Sequence, residues 1–164
     1  MKVLIVSDSH NKCYYLERVL EKVQPVDLLI HLGDFEGDER YIKGMVNCPV
    51  AMVSGNNDYF TEIPRDDFIQ LGKYYIMITH GHKYGVNYGV DQIKEVAVLN
   101  GANIVMFGHT HRPMIDLSDD NIWAINPGSI SQPRQDGRIP SFIIMDIDPR
   151  GEAHFTINYV DNAY

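Results

Sequence analysis

Five short apolar runs in this chain each end in a polar cluster of the same kind, and this pattern limits the possible folds more than any other feature. Lys2–Ser7 runs into Asp8-Ser9-His10, Asp27–Leu32 into Gly33-Asp34, and Val50–Ser54 into Gly55-Asn56-Asn57-Asp58. Tyr74–Thr79 runs into His80-Gly81-His82, and Ile104–Phe107 into Gly108-His109-Thr110-His111. Short apolar runs without polar alternation predict strands buried on both faces. Between them, Tyr14–Val23 carries Leu16, Val19, Leu20 and Val23 at helical spacing, and Pro25 stops it. Asp38–Val46 reads as a short helix containing Gly44, and Gly89–Leu99 as a helix closed by Asn100-Gly101. The stretch before Tyr74, with Pro64 and Gly72, reads as a loop.

The pattern changes after Phe107. Met114–Leu117, Ile122–Asn126, Ser141–Asp148 and Ala153–Val160 are strand-like runs separated by turns, and two of them can pair as a hairpin across Pro149 to Gly151. Strand–helix alternation first and hairpins last predicts an α/β fold, with two mixed sheets packed together and helices outside. At 164 residues the chain is expected to be a single domain over residues 1–164.

Composition removes several function classes. Lys plus Arg total 14 against 22 Asp plus Glu, a net charge of −8. That balance excludes a broad basic face for bulk nucleic acid and discourages binding to anionic membranes. No run approaches the ~20 apolar residues of a membrane span. The N-terminus lacks the apolar region and cleavage site of a signal peptide, so a cytoplasmic protein is expected. Cys13 and Cys48 are too few for a disulfide framework and are not spaced as a metal pair, so both read as free thiols.

The polar clusters carry the chemistry. In an open α/β sheet, loops from different strands converge outside the carboxyl ends, where ligands collect. Here that rim would receive two Asp, one or two Asn and up to five His. Carboxylate, imidazole and amide oxygen together suit Mn²⁺, Fe²⁺, Zn²⁺ or Ni²⁺. Asp8 and His10 are two apart, as are His109 and His111; on extended backbone each pair would point to one side. Glycines before Asp34, Asn56 and His109 allow tight turns and close backbone approach.

The motifs D-x-H, G-D, G-N-x-D, T-H-G-H and G-H-T-H, in this order, resemble the calcineurin-like metallophosphoesterase superfamily. The small size, Thr79-His80-Gly81-His82 and Asn126-Pro127-Gly128-Ser129 resemble its compact YfcE-type phosphodiesterase branch. The resemblance implies a four-layer αββα sandwich, two mixed sheets flanked by helices, around a two-metal centre with Mn²⁺ the first candidate ion. It assigns Asp8, His10 and His111 to one ion, Asn56, His80 and His109 to the other, and Asp34 as the bridge. Two ions roughly 3.5–4 Å apart lower the pKa of a shared water and clamp an in-line displacement, so the nucleophile would be a metal-bridging hydroxide. A small phosphodiester substrate is implied, and the compact branch commonly forms dimers or tetramers. The wider superfamily often has His where this chain has Asn57. An amide donates a hydrogen bond but transfers no proton at neutral pH, which predicts a preference for acidic leaving groups.

Other residues have a functional and a bland reading. Asp58 either orients His10 or His111 or is a plain loop carboxylate. Arg112 either meets a phosphate or pairs with a surface acid. His82 either lines the pocket or supports His80. Asn126 and Ser129 either pack beside the metal site or form a tight turn. His31 and His154 carry no catalytic role. Cys13 reads as a helix-start residue, with a redox role as its alternative. Tyr84, Tyr88 and Phe60 either wall a pocket or cover the core. Two functions compete with the phosphodiesterase: a phosphomonoesterase, and a protein-interaction scaffold like the retromer subunit that shares this compact fold.

Overall fold

The computed structural model describes residues 1–160. Strands β1 (Lys2–Val6), β2 (Leu28–His31) and β3 (Val50–Met52) run parallel in one sheet. That sheet is completed on the other side of β1 by an antiparallel hairpin from the last part of the described chain. Helices α1 (Tyr14–Val23) and α2 (Glu39–Gly44) are the crossovers. The second sheet holds β4 (Asp66–Leu71), β5 (Tyr74–Thr79), β6 (Ile104–Met106), β7 (Pro113–Asp116) and β8 (Trp123–Pro127), with α3 (Asp91–Leu99) joining β5 to β6. The chain then returns to the first sheet as β9 (Ser141–Ile147) and β10 (Ala153–Tyr159), paired around the turn at Pro149 to Gly151. The orders are β10-β9-β1-β2-β3 and β4-β5-β6-β8-β7.

Side-chain alternation explains the layers. Val3 and Ile5 face the second sheet and meet Ile76, Ile78, Ile104, Met106 and Ile143. Leu4 and Val6, one residue out of phase, face Leu16, Val19 and Leu20 of α1 and Ile42 of α2. On the far side of the second sheet, Met77, Val105 and Ala124 pack on Ile93 and Ala97 of α3. A strand with both faces covered must be apolar at every position, which is why β1 shows no alternation. The result is the expected four-layer arrangement, helices on the outside of two mixed sheets.

One strand departs from the sequence reading. Residues 66–71, expected as loop, form β4, which pairs antiparallel with β5 from Asp66 opposite Thr79 to Leu71 opposite Tyr74. Its opening Asp66-Asp67 pair is tolerated because β4 is an edge strand: Asp66 accepts from Thr79, Lys83 and Tyr84. A 3₁₀ turn at His82–Tyr84 was also not foreseen.

The parallel strands β1, β2 and β3 and, in the other sheet, β5, β6 and β8 end toward one rim. Backbone bonds stitch that rim together: Asp8 N–H donates to Gly33 O (3.0 Å), His10 N–H to Asp34 O (2.9 Å) and Gly108 N–H to His80 O (3.1 Å).

Candidate metal centre

The rim gathers all seven sequence-picked ligands. Asp8, Asp34, His80 and His111 are buried, while His10, Asn56 and His109 are half-buried. His111 Nε2 lies 3.0 Å from Asp8 Oδ1 and 3.2 Å from His10 Nε2. His80 Nε2 lies 3.1 Å from Asn56 Oδ1 and 3.4 Å from Asp34 Oδ2. Asp34 Oδ2 is also 4.0 Å from His10 Nε2, so one carboxylate oxygen faces both groups.

These clusters do not form on extended backbone. Nine described non-glycine residues have positive φ, and Asp8 (57°), His10 (47°), Asp34 (57°), His109 (66°) and His111 (58°) are five of them. The ligands therefore gather through left-handed loop residues, and His109 and His111 part, the one beside His80 and the other beside Asp8 and His10, which corrects the expectation drawn from strand geometry. Each such residue costs of order 1–3 kcal/mol and persists only where its surroundings hold it. Two glycines make the close approach possible. A Cβ on Gly55 would collide with Asp34 Oδ1, and one on Gly108 with Ser7 Oγ.

Three acceptors set the tautomers. His80 Nδ1–H donates to Leu32 O (2.7 Å) and His111 Nδ1–H to Gln132 O (2.6 Å). His10 Nδ1–H donates to Glu36 Oε1 (2.6 Å). Each ring thus turns its Nε2 inward, toward carboxylate and amide oxygens that are acceptors. Asp8 Oδ1 is buried with no hydrogen-bond donor among the described residues. Acceptors buried this close together are unfavourable unless positive charge, a proton or a metal cation, lies among them. The oxygen and imidazole donor set fits a divalent ion, and Asp8-His10-His111 and Asp8-Asp34-His80 each bring one ligand atom per residue within 4.8 Å of one another.

The electrostatics agree. Burial would push the Asp34 carboxyl up, but His80 and the Asn57 donors outweigh it and hold it well below the usual range. Burial likewise opposes ionisation of Asp8, and the neighbouring His80 and His111 reverse that. For His80, burial pushes down, while Asp8 and Asp34 pull it up to about 9. His109 is pushed down, first by burial and then by His80.

The surrounding residues sort the remaining alternatives. Asp58 does not orient an imidazole; it accepts from the backbone N–H groups of Asp34, Glu36 and Gly55, each at 2.7 Å, and so braces the turn that presents Asp34. Asn57 donates its backbone N–H to Asp34 Oδ1 (2.9 Å) and its amide to Asp34 Oδ2 (2.8 Å). Asn126 Nδ2 donates to Gly108 O (2.9 Å), and Ser129 Oγ to Asp8 O (2.8 Å), so both hold the backbone that carries ligands. Arg65 Nη1 donates to His82 Nε2 (2.7 Å), and burial pushes the His82 ring down to about 4. Phe60 and Tyr88 are fully exposed and cover no core, whereas Tyr84 packs beside it.

Three supporting residues escaped the sequence reading. Glu36 holds His10, and Asn87 Nδ2 donates to His109 Nε2 (3.0 Å). His31, set aside as ordinary, is fully buried: its ring meets Ser9 Oγ (3.0 Å) and accepts from Gly33 N–H (3.3 Å), tying two ligand loops together. Glu36 had a usable signal, two residues after Asp34 in the same turn; Asn87 had none.

The chain belongs to the calcineurin-like phosphoesterase superfamily, whose domain matches residues 1–150. Its chemistry is accordingly metal-dependent phosphoester hydrolysis. It is 32% identical over 164 residues to the probable metallophosphoesterase YsnB of Bacillus subtilis, covering 99% of this chain and 92% of that protein. Among solved structures, a predicted phosphoesterase of Streptococcus pneumoniae TIGR4 is 29% identical with a TM-score of 0.77, over 96% of this chain and 97% of the other. The YfcE phosphoesterase of E. coli shares the fold at 23% identity and a TM-score of 0.68, over 98% of this chain and 100% of that one. So does Vps29 of Entamoeba histolytica complexed with zinc, at 18% identity and a TM-score of 0.76, over 98% and 100%. No helix among the described residues is long and apolar enough to cross a membrane.

Proposed function

We propose that this protein is a phosphodiesterase working with two divalent cations, Mn²⁺ first among them. The observation that carries this reading is Asp34 Oδ2, which faces His80 Nε2 at 3.4 Å and His10 Nε2 at 4.0 Å from a single buried carboxylate. Asp8, His10 and His111 would hold one cation, Asn56, His80 and His109 the other, with Asp34 shared. When bound, such a pair supplies a water of lowered pKa and neutralises charge developing on the phosphoryl oxygens. The chain's own residues do the positioning. Leu32 O, Gln132 O and Glu36 fix the ring orientations, and Asn57 and Asp58 fix Asp34.

Leaving-group preference follows from what surrounds the cage. The Asn57 amide is engaged with Asp34, and His82 Nδ1 is buried. Neither supplies a proton to a departing oxygen, so the reaction favours esters whose leaving groups need none; general acid catalysis is typically worth about 10²–10⁴ in rate. Protein stripped with a chelator and reloaded with Mn²⁺, Zn²⁺ or Ni²⁺ should hydrolyse bis(4-nitrophenyl) phosphate faster than 4-nitrophenyl phosphate, and alkyl diesters far more slowly. A preference for the monoester would replace this reading with a phosphomonoesterase. Protein that binds no cation and turns over neither ester would instead support the scaffold. The reading carries two further expectations, a cytoplasmic location and self-association through the open edge of β10, the latter tested by sedimentation.

A further inference from the structure

Beside the cage lies a cleft whose chemistry the hydrolytic reading does not use. Arg112 follows His111 directly, and Arg134 N–H donates to His111 O (3.0 Å), so both arginines are tied to a residue of the cage. With Arg138 they line a cleft of about 580 Å³. A second groove of about 580 Å³ shares Arg112 and Arg134, runs over Val86, Phe107 and Met114, and reaches Asn87, which holds His109, and Thr110, which lies between His109 and His111. The apolar groove and the arginine cleft therefore adjoin one another, and both border the loop that carries His109 and His111.

What sets the three arginines apart is that they share one cleft with no carboxylate against them. Lys73, Lys83, Lys94 and Arg150 each sit against a carboxylate. The side chains of Arg112, Arg134 and Arg138 have no carboxylate or hydrogen-bond partner among the described residues. Three unpaired guanidiniums around one cleft repel one another, and the chain carries net charge −8, with acids in excess elsewhere. The planar fork of Arg matches phosphate oxygens in a way a lone ammonium does not.

We propose that this cleft is an anion subsite and that the substrate is a phosphodiester bearing a second, remote phosphate, with an apolar ring system between the two resting on the Val86–Phe107–Met114 floor. The proposal rests on the phosphodiesterase reading for the group that is cleaved, but its binding half can be measured without it. Calorimetry on metal-free, full-length protein compares thymidine 3′,5′-bisphosphate with thymidine 5′-monophosphate. The bisphosphate should bind about 10–100-fold more tightly, as expected for charge-assisted contacts. Arg112→Ala/Arg134→Ala should bring the ratio near one, and Arg134→Lys should restore part of it. In the Mn²⁺-loaded enzyme, a 3′-phosphate on the 4-nitrophenyl ester of thymidine 5′-phosphate should lower KM by a similar factor with little change in kcat.

Equal affinities in the wild type, or a ratio that survives the double variant, would overturn the subsite. Turnover of both esters with equal KM would do the same while leaving the phosphodiesterase standing. A binding ratio without turnover of either ester would keep the subsite and discard the hydrolytic reading.

Discussion

The two halves of the cage are built to different standards. In the half formed by Asp8, His10 and His111, both imidazoles are fixed through Nδ1 and both Nε2 atoms converge, 3.2 Å apart, beside Asp8 Oδ1. In the half formed by Asn56, His80 and His109, only His80 is fixed that way. Asn56 offers a neutral amide oxygen, and half-buried His109 is engaged at Nε2 by exposed Asn87 and is not fixed through Nδ1. One half carries its own carboxylate and has both rings fixed through Nδ1; the other depends on an amide and has one ring so fixed. Preorganised, charged ligands bind a cation more tightly. The comparison therefore teaches that two cations would be held unequally, with Asp34 the one residue both halves require.

Asp34→Asn attacks both halves at once and should have the largest effect. Removing a carboxylate charge worth several kcal/mol should lower metal-dependent turnover by about a thousandfold or more, read as kcat/KM on bis(4-nitrophenyl) phosphate. His109→Ala touches only the weaker half. Calorimetry with Mn²⁺ should lose the weaker binding event and keep the tighter one; loss of both would erase the difference between the halves. Glu36→Gln acts on the stronger half through the ring of His10, and loss of such an orienting carboxylate typically costs about 10–100-fold in metal affinity. Only the tighter event should weaken.

The smallest effect on the cage itself should come from His31, which braces it from behind. Burial holds this ring neutral and pushes it down to about 4 from its ordinary 6.5. Because the folded value is the lower one, the unfolded chain takes up the proton first. Stability is complete above pH 6.5 and falls as the pH drops toward 4, by up to about 1.4 kcal/mol per unit from this group. Denaturant unfolding across that window should show a shallower fall in His31→Gln than in the wild type; parallel curves would remove His31 from this role.

Much of this arrangement is legible in the amino-acid sequence. β1, β2, β5 and β6 are short apolar runs because both of their faces are covered, and a run of that kind has few other fates. The ligand types stood out because turns favour Asp, Asn and Gly but not paired histidines. β4 was missed because an edge strand tolerates Asp66 and Asp67 and so lacks the apolar signature. Asp58 stays open between a ring partner and a plain loop role because spacing says nothing about whether a loop carboxylate meets an imidazole or a row of N–H groups. Glu36, Asn87 and the carbonyls of Leu32 and Gln132 act through contacts that only folding creates. The left-handed backbone at Asp8, His10, Asp34, His109 and His111 left no trace in residue type, since none of these positions is glycine.

The central claim is that one carboxylate serves both halves. Crystals of the Mn²⁺-loaded protein, measured at the manganese absorption edge, test it most directly. The account predicts two anomalous peaks, one among Asp8, His10 and His111 and one among Asn56, His80 and His109, with Asp34 touching both. A lone peak at saturating Mn²⁺, or a pair of peaks with Asp34 reaching only one, would contradict it.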